Sequence, residues 1–344
     1  MVLSTVTLIL LAVVLFSARS SLVHAWQLLG QVNILILLAV VPIVMISYFA
    51  SGEMIFSYLR QKRLISHVNP FRLMRVSLEL NFVNHVLPSG GASGVAYLNW
   101  RMSKLGVPIA RATMAQAVRY VAGFMAATVM LGVALIAVTM DGTVNRLIIL
   151  MSALLVILMM AGTFGLYFLV SNRKRAEKIA SWTTRAANAT VRKVTFGRKT
   201  SVLNFHKVNS YFGELHDDYL ELSRDKKLLF RPFLWGILYV IMDIAMFWVT
   251  FAALGTYVNP ATILIAYHLA SLMGFIVVTP GGVGAYEAVM VMIVVASGIA
   301  NPDAIAGVVL ARVIILLVTI VVGYMLYQEA LIRYGKHIKP NAAP

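Results

Sequence analysis

Cysteine is absent from the 344 residues. Disulfides, thiolate metal sites and cysteine nucleophiles are thereby excluded. Charge is scarce too: 12% of residues are charged against 60% hydrophobic, whereas an ordinary soluble domain carries about 25% charged residues. No soluble fold could hide that much apolar surface. The seven histidines show no HxxxH or HExxH spacing, so no metal site is expected and no cofactor is called for. Acids are the rarest charges, 13 against 29 Lys and Arg, for a formal net charge of +16. Such an excess would suit a nucleic-acid partner if it lay on one soluble face. The basic residues instead fall in short loops between apolar runs, which is membrane topology rather than nucleic-acid binding.

What the chain has is apolar length. The charge-free runs Tyr120 to Met140, Leu147 to Asn172 and Ile244 to Tyr286 all reach the roughly 20 residues that a spanning helix requires. The expected fold class is therefore an all-α polytopic integral membrane protein. Six full crossings are predicted, near residues 1–18, 32–58, 113–140, 147–170, 231–254 and 304–328. The first is read as a spanning helix rather than a cleaved signal. It lacks a basic leading segment, and its uncharged stretch outruns a signal core.

Two further apolar stretches are broken in the middle. Residues 76–100 are interrupted at Pro88, Gly90 and Gly91, and residues 261–297 at Pro280, Gly281, Gly282 and Gly284. Proline removes a backbone donor and clashes with the preceding turn, and adjacent glycines make helix continuation costly. Each stretch should be a pair of half-helices, re-entrant or thinly crossing, whose ends return to one side.

Positive charge orients this arrangement, because cytoplasmic loops retain an excess of Lys and Arg. Residues 59–75, 101–111, 171–231 and 329–344 together hold 25 of the 29, the opposite side holds Arg19 and Arg146, and Arg119 and Arg312 fall inside apolar helices. Both termini are expected to be cytoplasmic, in a multi-pass protein of the cytoplasmic (inner) cell membrane.

The same bookkeeping exposes a repeat. Pro88 precedes Arg119 by 31 positions and Pro280 precedes Arg312 by 32. Each half reads helix, helix, broken pair, arginine-bearing helix, with residues 1–140 forming the first membrane repeat and 141–344 the second. Three net crossings per half insert the second upside down. Inverted repeats with discontinuous helices are a transporter signature.

An arginine inside the bilayer needs a partner or water. Glu287 just beyond the second break, Glu79 just before the first and Asp243 in mid-helix are the acids on offer. Arg119, Arg312, Glu287, Glu79 and Asp243 are accordingly the candidate substrate-pathway residues. The glycine breaks at Pro88, Gly90, Gly91 and at Pro280, Gly281, Gly282, Gly284 are candidate gates. Each would start a half-helix whose free N–H groups and positive dipole end can seat an anion. Ser89, Ser93, Asn81 and Asn84 near the first break are read as caps, and Gly123 and Gly323 as points of close helix packing. His85 and His268 are read as interior hydrogen-bonded residues.

Pro280-Gly-Gly-Val-Gly-Ala-Tyr-Glu287 followed by Arg312, together with Asn84-His-Val-Leu-Pro88-Ser-Gly-Gly and Arg119, resembles the flippase-like family related to the transmembrane region of lysylphosphatidylglycerol synthase. The resemblance spans nearly the whole chain. It implies a membrane domain that moves lipids or lipid-linked groups between leaflets. The first motif departs from the family pattern: the acid after its glycines is missing, and Val118 stands where Glu often precedes the helix arginine. Members that synthesise aminoacyl lipids carry a further soluble domain, so this chain is expected to move lipid and not to make it.

The function expected is flipping of an anionic or aminoacylated lipid by alternating access. A secondary transporter for a small anionic solute, an intramembrane enzyme, and an accessory subunit of lipid or glycan synthesis are the alternatives. Admissible partners are a phospholipid or lipid-linked substrate, a second copy of the chain, and an enzyme of lipid or glycan synthesis. In the basic segment 171–231, Phe205, Val208, Phe212, Leu215, Tyr219 and Leu222 recur at helical spacing. An amphipathic helix there would either lie on anionic lipids or pack as a connector between the halves.

Single cysteines introduced into this cysteine-free background test the topology. Val144→Cys and Val258→Cys should label from outside intact cells, and Lys174→Cys and Lys336→Cys only after permeabilisation. Labelling of Val144→Cys and Val258→Cys from opposite sides would overturn the inverted repeat.

Overall fold

Asparagine and proline open several of the helices. Asn69 and Asn259 each accept a hydrogen bond from the backbone N–H two residues on, at 2.9 Å, with Pro70 and Pro260 starting the helix. Asparagine satisfies a free first-turn donor, and proline sits where its missing N–H costs nothing. Asn33 caps in the same way, accepting from Leu35 and Ile36.

The computed structural model describes residues 16, 19–28, 30, 32–87, 92–140, 146–170, 181, 205–276 and 284–335. Its helices are α1 (Arg19–Leu28), α2 (Ile34–Leu38), α3 (Val40–Gln61), α4 (Pro70–Val86), α5 (Ala92–Ser103), α6 (Ile109–Met140), α7 (Arg146–Val170), α8 (Phe205–Arg224), α9 (Lys227–Ala253), α10 (Pro260–Ile276), α11 (Ala285–Ala296) and α12 (Asn301–Gly335). No strand occurs among the described residues. Among the described residues four helical stretches are long and apolar enough to cross a membrane: Ile34–Gln61, Ile109–Ala137, Lys227–Ala253 and Asn301–Gly335. They fall on four of the six expected crossings, and α7 supplies a helix over a fifth. The expected crossing at 1–18 lies outside the described residues. The chain is a multi-pass, all-helical membrane protein.

Each broken stretch is a pair of helices. α4 ends at Val86, after which Leu87 is extended, and α5 begins at Ala92. α10 ends at Ile276 and α11 begins at Ala285. The residues between, including Pro88, Gly90, Gly91, Pro280, Gly281 and Gly282, lie outside the described residues.

α3 and α9 pack most extensively and form the centre. α6 lies against both, and α12 touches α3, α4, α9 and α11. Further contacts come in matching sets: α4 with α5 and α10 with α11, α5 with α6 and α11 with α12, α12 with α4 and α6 with α10. The backbone N–H of Asn33 donates to the carbonyl of Ala253 at 2.8 Å, tying the start of α2 to the end of α9.

Small residues set the helix spacing. A Cβ on Gly236 of α9 would stand 3.0 Å from the Ala126 Cβ and 3.1 Å from the Ala122 carbonyl of α6. Gly52 meets Ser77, Gly94 meets Asn84 and Gly307 meets Phe251. Lipid tails are as apolar as leucine, so close backbone approach and van der Waals contact, rather than exclusion of water, hold such helices together. Gly323 follows the expected reading, pressed against Phe82 and Leu78 of α4. Gly123 does not, because nothing lies within 4 Å of its Cβ position.

The loop helix α8 packs against α6 and α7. Leu222 reaches the core, and buried Asp218 pairs with Arg111 while Glu221 pairs with Lys62. Burial raises the Asp218 carboxyl above its usual range, against the pull of Arg111. The hydrogen bond from Lys62 lowers that of Glu221. The connector reading of this segment thus has direct contacts behind it.

Gly323→Ala should destabilise the detergent-solubilised protein by about 1–3 kcal/mol, because its methyl group overlaps Phe82 and the neighbouring α4 backbone. Gly123→Ala should be neutral or stabilise by up to about 1 kcal/mol, through helix propensity alone. Thermal unfolding of the two variants, side by side with the parent, measures the contrast.

Candidate functional site

The helix restarting after the second break carries its own acid. Gly284, at φ 96°, precedes α11 and donates its N–H to Oε2 of Glu287 at 2.6 Å. A side chain there would strain the backbone. The Glu287 carboxylate in the first turn also complements the positive helix end. Its Oε1 accepts from Arg312 Nε at 2.9 Å, so α11 and α12 are joined by a charge-assisted bond. Both side chains are 18% exposed. The Arg312 guanidinium stacks 4.2 Å over the Tyr286 ring.

A second polar group adjoins this pair. Asp243 in α9, 3% exposed, accepts hydrogen bonds from Ser47 of α3 and Tyr267 of α10. The Tyr239 hydroxyl lies 3.4 Å from that of Tyr267. Tyr286 links the two groups, with its ring 6.3 Å from Tyr267 and 6.5 Å from Phe247. Tyr48 shares a hydrogen bond with Thr319 of α12 and lies 6.3 Å from the His85 ring of α4. Arg119 is half-buried on α6. Polar side chains from α3, α4 and α9 to α12 therefore converge in the middle of an apolar bundle.

Glu79 lies elsewhere. It was expected to serve an intramembrane arginine, but it accepts from Arg101 Nε and from the Tyr97 hydroxyl, each at 2.8 Å. The reason is local: α5 turns back along α4 and brings Tyr97 and Arg101 over the Glu79 face. Arg101 is one of the three cations of residues 101–111, yet its side chain is only 4% exposed. The structure thus joins Glu287 to Arg312, sets Asp243 on the hydroxyls of Ser47 and Tyr267 and leaves Glu79 in a separate cluster. Of the candidate gate residues, Gly284 alone is among the described residues.

Several site residues escaped the sequence reading. Ser47 and Tyr48 sit inside the expected crossing at 32–58, and Tyr267 inside the broken stretch. Their only signal was a polar group amid apolar neighbours. Tyr286 stood in the motif beside Glu287, yet nothing in the motif foretold its stacking on Arg312. Buried Glu53, paired with Arg60 on its own helix, was also passed over. Asn81 donates to the Ser77 carbonyl at 2.9 Å, and the ring nitrogens of His85 and His268 contact the carbonyls of Asn81 and Leu264 at 2.8 and 2.9 Å. The two histidines are interior hydrogen-bonded residues as expected, whereas Asn81, expected as a cap, instead bonds back within its own helix because it lies a full turn before the end of α4. No group of three metal-ligating side chains occurs among the described residues.

The family model of the lysylphosphatidylglycerol synthase TM region matches residues 2–323. The chain belongs to this family. A search of curated proteins found no match. The match runs through both broken stretches and through Arg119, Glu287 and Arg312, so the polar centre lies within the part of the chain that defines the membership.

Removing one partner of the Glu287–Arg312 pair leaves the other charge unmet in an apolar surround. Glu287→Gln and Arg312→Ala should each destabilise the solubilised protein by about 1–3 kcal/mol, less than a fully buried pair would lose. The double variant should recover about 1 kcal/mol or more relative to the sum. Additive melting temperatures would separate the two residues.

Proposed function

We propose that this chain is a flippase for an anionic or aminoacylated lipid, or for a lipid-linked headgroup, working by alternating access. The observation that carries the reading is the Glu287–Arg312 pair, set at the start of a new helix beside a glycine break and continuous with Asp243 through Tyr286 and Tyr267. An apolar bundle gains nothing in stability from so much buried polarity, whereas a headgroup crossing the membrane needs it. Family membership supports a role with lipid, and the site's cations suit a phosphate.

The mechanism takes residues 1–140 and 141–344 as inverted repeats. Three features support it. Asn69-Pro70 and Asn259-Pro260 open α4 and α10, each the first helix of a broken pair. Gly106 and Gly298, both at positive φ, precede the arginine-bearing helices α6 and α12. Finally, the helix contacts map onto one another when the halves are exchanged, with α3 and α9 on the axis. In this reading the two broken pairs are re-entrant gates opening to opposite sides. The termini and the basic segment 171–231 face the cytoplasm, and that segment lies against anionic lipid. A headgroup would trade water for Arg119 and Arg312 as one gate opens and the other closes.

Proteoliposomes should show accelerated transfer of fluorescent phosphatidylglycerol or its lysyl ester between leaflets, read by an impermeant quencher. Arg119→Ala and Arg312→Ala should each slow it by about tenfold, the equivalent of one lost charge-assisted contact. Lysine at either position should restore part of the rate, since it keeps the charge but loses the planar fork. Transfer indifferent to all four changes, in folded protein, would reject the flippase and favour an accessory subunit of lipid or glycan synthesis.

A further inference from the structure

Glu79 and Arg101 form the floor of a cavity of about 320 Å³ between α4, the end of α5 and the last turns of α12. Arg72, Arg75 and Arg333 complete its cationic wall. Glu79 takes Arg101 and Glu329 takes Arg75. Among the described residues no carboxylate lies within ion-pair distance of Arg72 or Arg333, so four guanidiniums face two carboxylates and two positive charges remain. Tyr334 is the shared platform. Arg101 stacks 4.3 Å over its ring, Arg72 and Arg333 stand 5.8 Å from the ring centre, and Arg72 donates to its hydroxyl at 2.8 Å. Arg101 is 3% exposed, and its Nη1 is buried with no hydrogen-bond partner.

A buried guanidinium N–H without an acceptor is costly, and cations gathered round one ring repel each other. An anion in the cavity removes both penalties at once. Two phosphate oxygens match the fork of an arginine.

A second cavity adjoins the first. It measures about 330 Å³ and is lined by Met45, Ile46 and Phe49 of α3 and by Pro70, Phe71 and Met74 of α4. No polar side chain lines it. Phe71 borders both cavities and is 78% exposed. A free phosphate would use only the cationic cavity, and a purely apolar ligand only the groove. A molecule with a negative head and a hydrocarbon tail uses both.

We propose that the two cavities together seat one anionic phospholipid, with its phosphate on Arg101, Arg72 and Arg333 and one acyl chain in the groove past Phe71. The seat lies on the arginine- and lysine-rich side of the chain and apart from the Arg312 centre. It stands or falls independently of transport, because binding alone reports it.

Native mass spectrometry of the full chain in mild detergent, offered phosphatidylglycerol and phosphatidylcholine with identical chains, tests it. The parent should retain one phosphatidylglycerol with about tenfold preference. Arg101→Gln would strand Glu79 and threaten the fold, so the informative variant is the rim pair Arg72→Gln with Arg333→Gln, which should reduce the preference to about twofold or less. Ile46→Trp should fill the groove and weaken retention while the headgroup preference survives. Glycerol 1-phosphate should displace the lipid only in large excess. Equal retention of both lipids by the parent, an unchanged preference in the rim variant, or displacement by glycerol phosphate at matched concentration would each overturn the seat. Protein that holds the lipid without moving it overturns the flippase alone, and protein that moves lipid while the rim variant keeps its preference overturns the seat alone.

Discussion

A charge carried into the apolar interior of a membrane protein costs roughly 2.5–3.5 kcal/mol on insertion scales unless it finds a partner. The helix arrangement of this chain follows where those partners are. Glu287 on α11 must meet Arg312 on α12. Asp243 on α9 must reach Ser47 on α3 and Tyr267 on α10. Glu79 on α4 must meet Arg101 on α5. Each requirement joins different helices, so satisfying all three fixes the register and neighbours of seven helices. A one-residue slip along any of them would strand a charge.

Meeting charges across helices requires backbones that come close, and the small residues supply the approach. Gly236 admits α6 to α9, Gly323 admits α4 to α12, and Gly94 lets α5 cross α4 at Asn84. The last of these matters most for the Glu79 cluster. Arg101 lies two helical turns beyond Gly94, and it overlies Glu79 only if α5 keeps to the surface of α4. The packing of small residues and the pairing of charges are therefore one constraint. Water exclusion does little of this work, because the surrounding lipid is itself apolar.

Much of this was legible along the chain, because in a membrane protein length, apolarity and Gly/Pro breaks are one-dimensional properties. The four long apolar helices, the interruptions of the two broken stretches and the pairing of Glu287 with Arg312 could be read from order and spacing. Partner choice was less legible where the partner came from a segment with another ready explanation. Arg101 was counted with loop cations because its neighbours Lys104 and Arg111 are basic, yet the turn of α5 carries it inward. Gly123 and Gly323 were indistinguishable as glycines in apolar runs. Only the three-dimensional path of α4 makes one a contact and leaves the other open. The hydroxyls of Tyr48, Tyr267 and Tyr286 share that illegibility, since an apolar ring fits any core and its polar tip is assigned only by what faces it.

The two arginines that fall inside apolar helices are met unequally. In the second half Arg312 has an acid of its own, seven positions after Pro280. In the first, Val95 stands seven positions after Pro88 and Val118 directly precedes Arg119, so neither place offers a carboxylate. Asp243, the other acid of the polar centre, is held by Ser47 of α3 and Tyr267 of α10. Compensation of Arg312 is thus built into the adjacent helices α11 and α12, whereas among the described residues no carboxylate lies within ion-pair distance of Arg119. An uncompensated charge in an apolar interior costs roughly 2.5–3.5 kcal/mol on insertion scales, so a counter-anion would stabilise Arg119 more than the already paired Arg312.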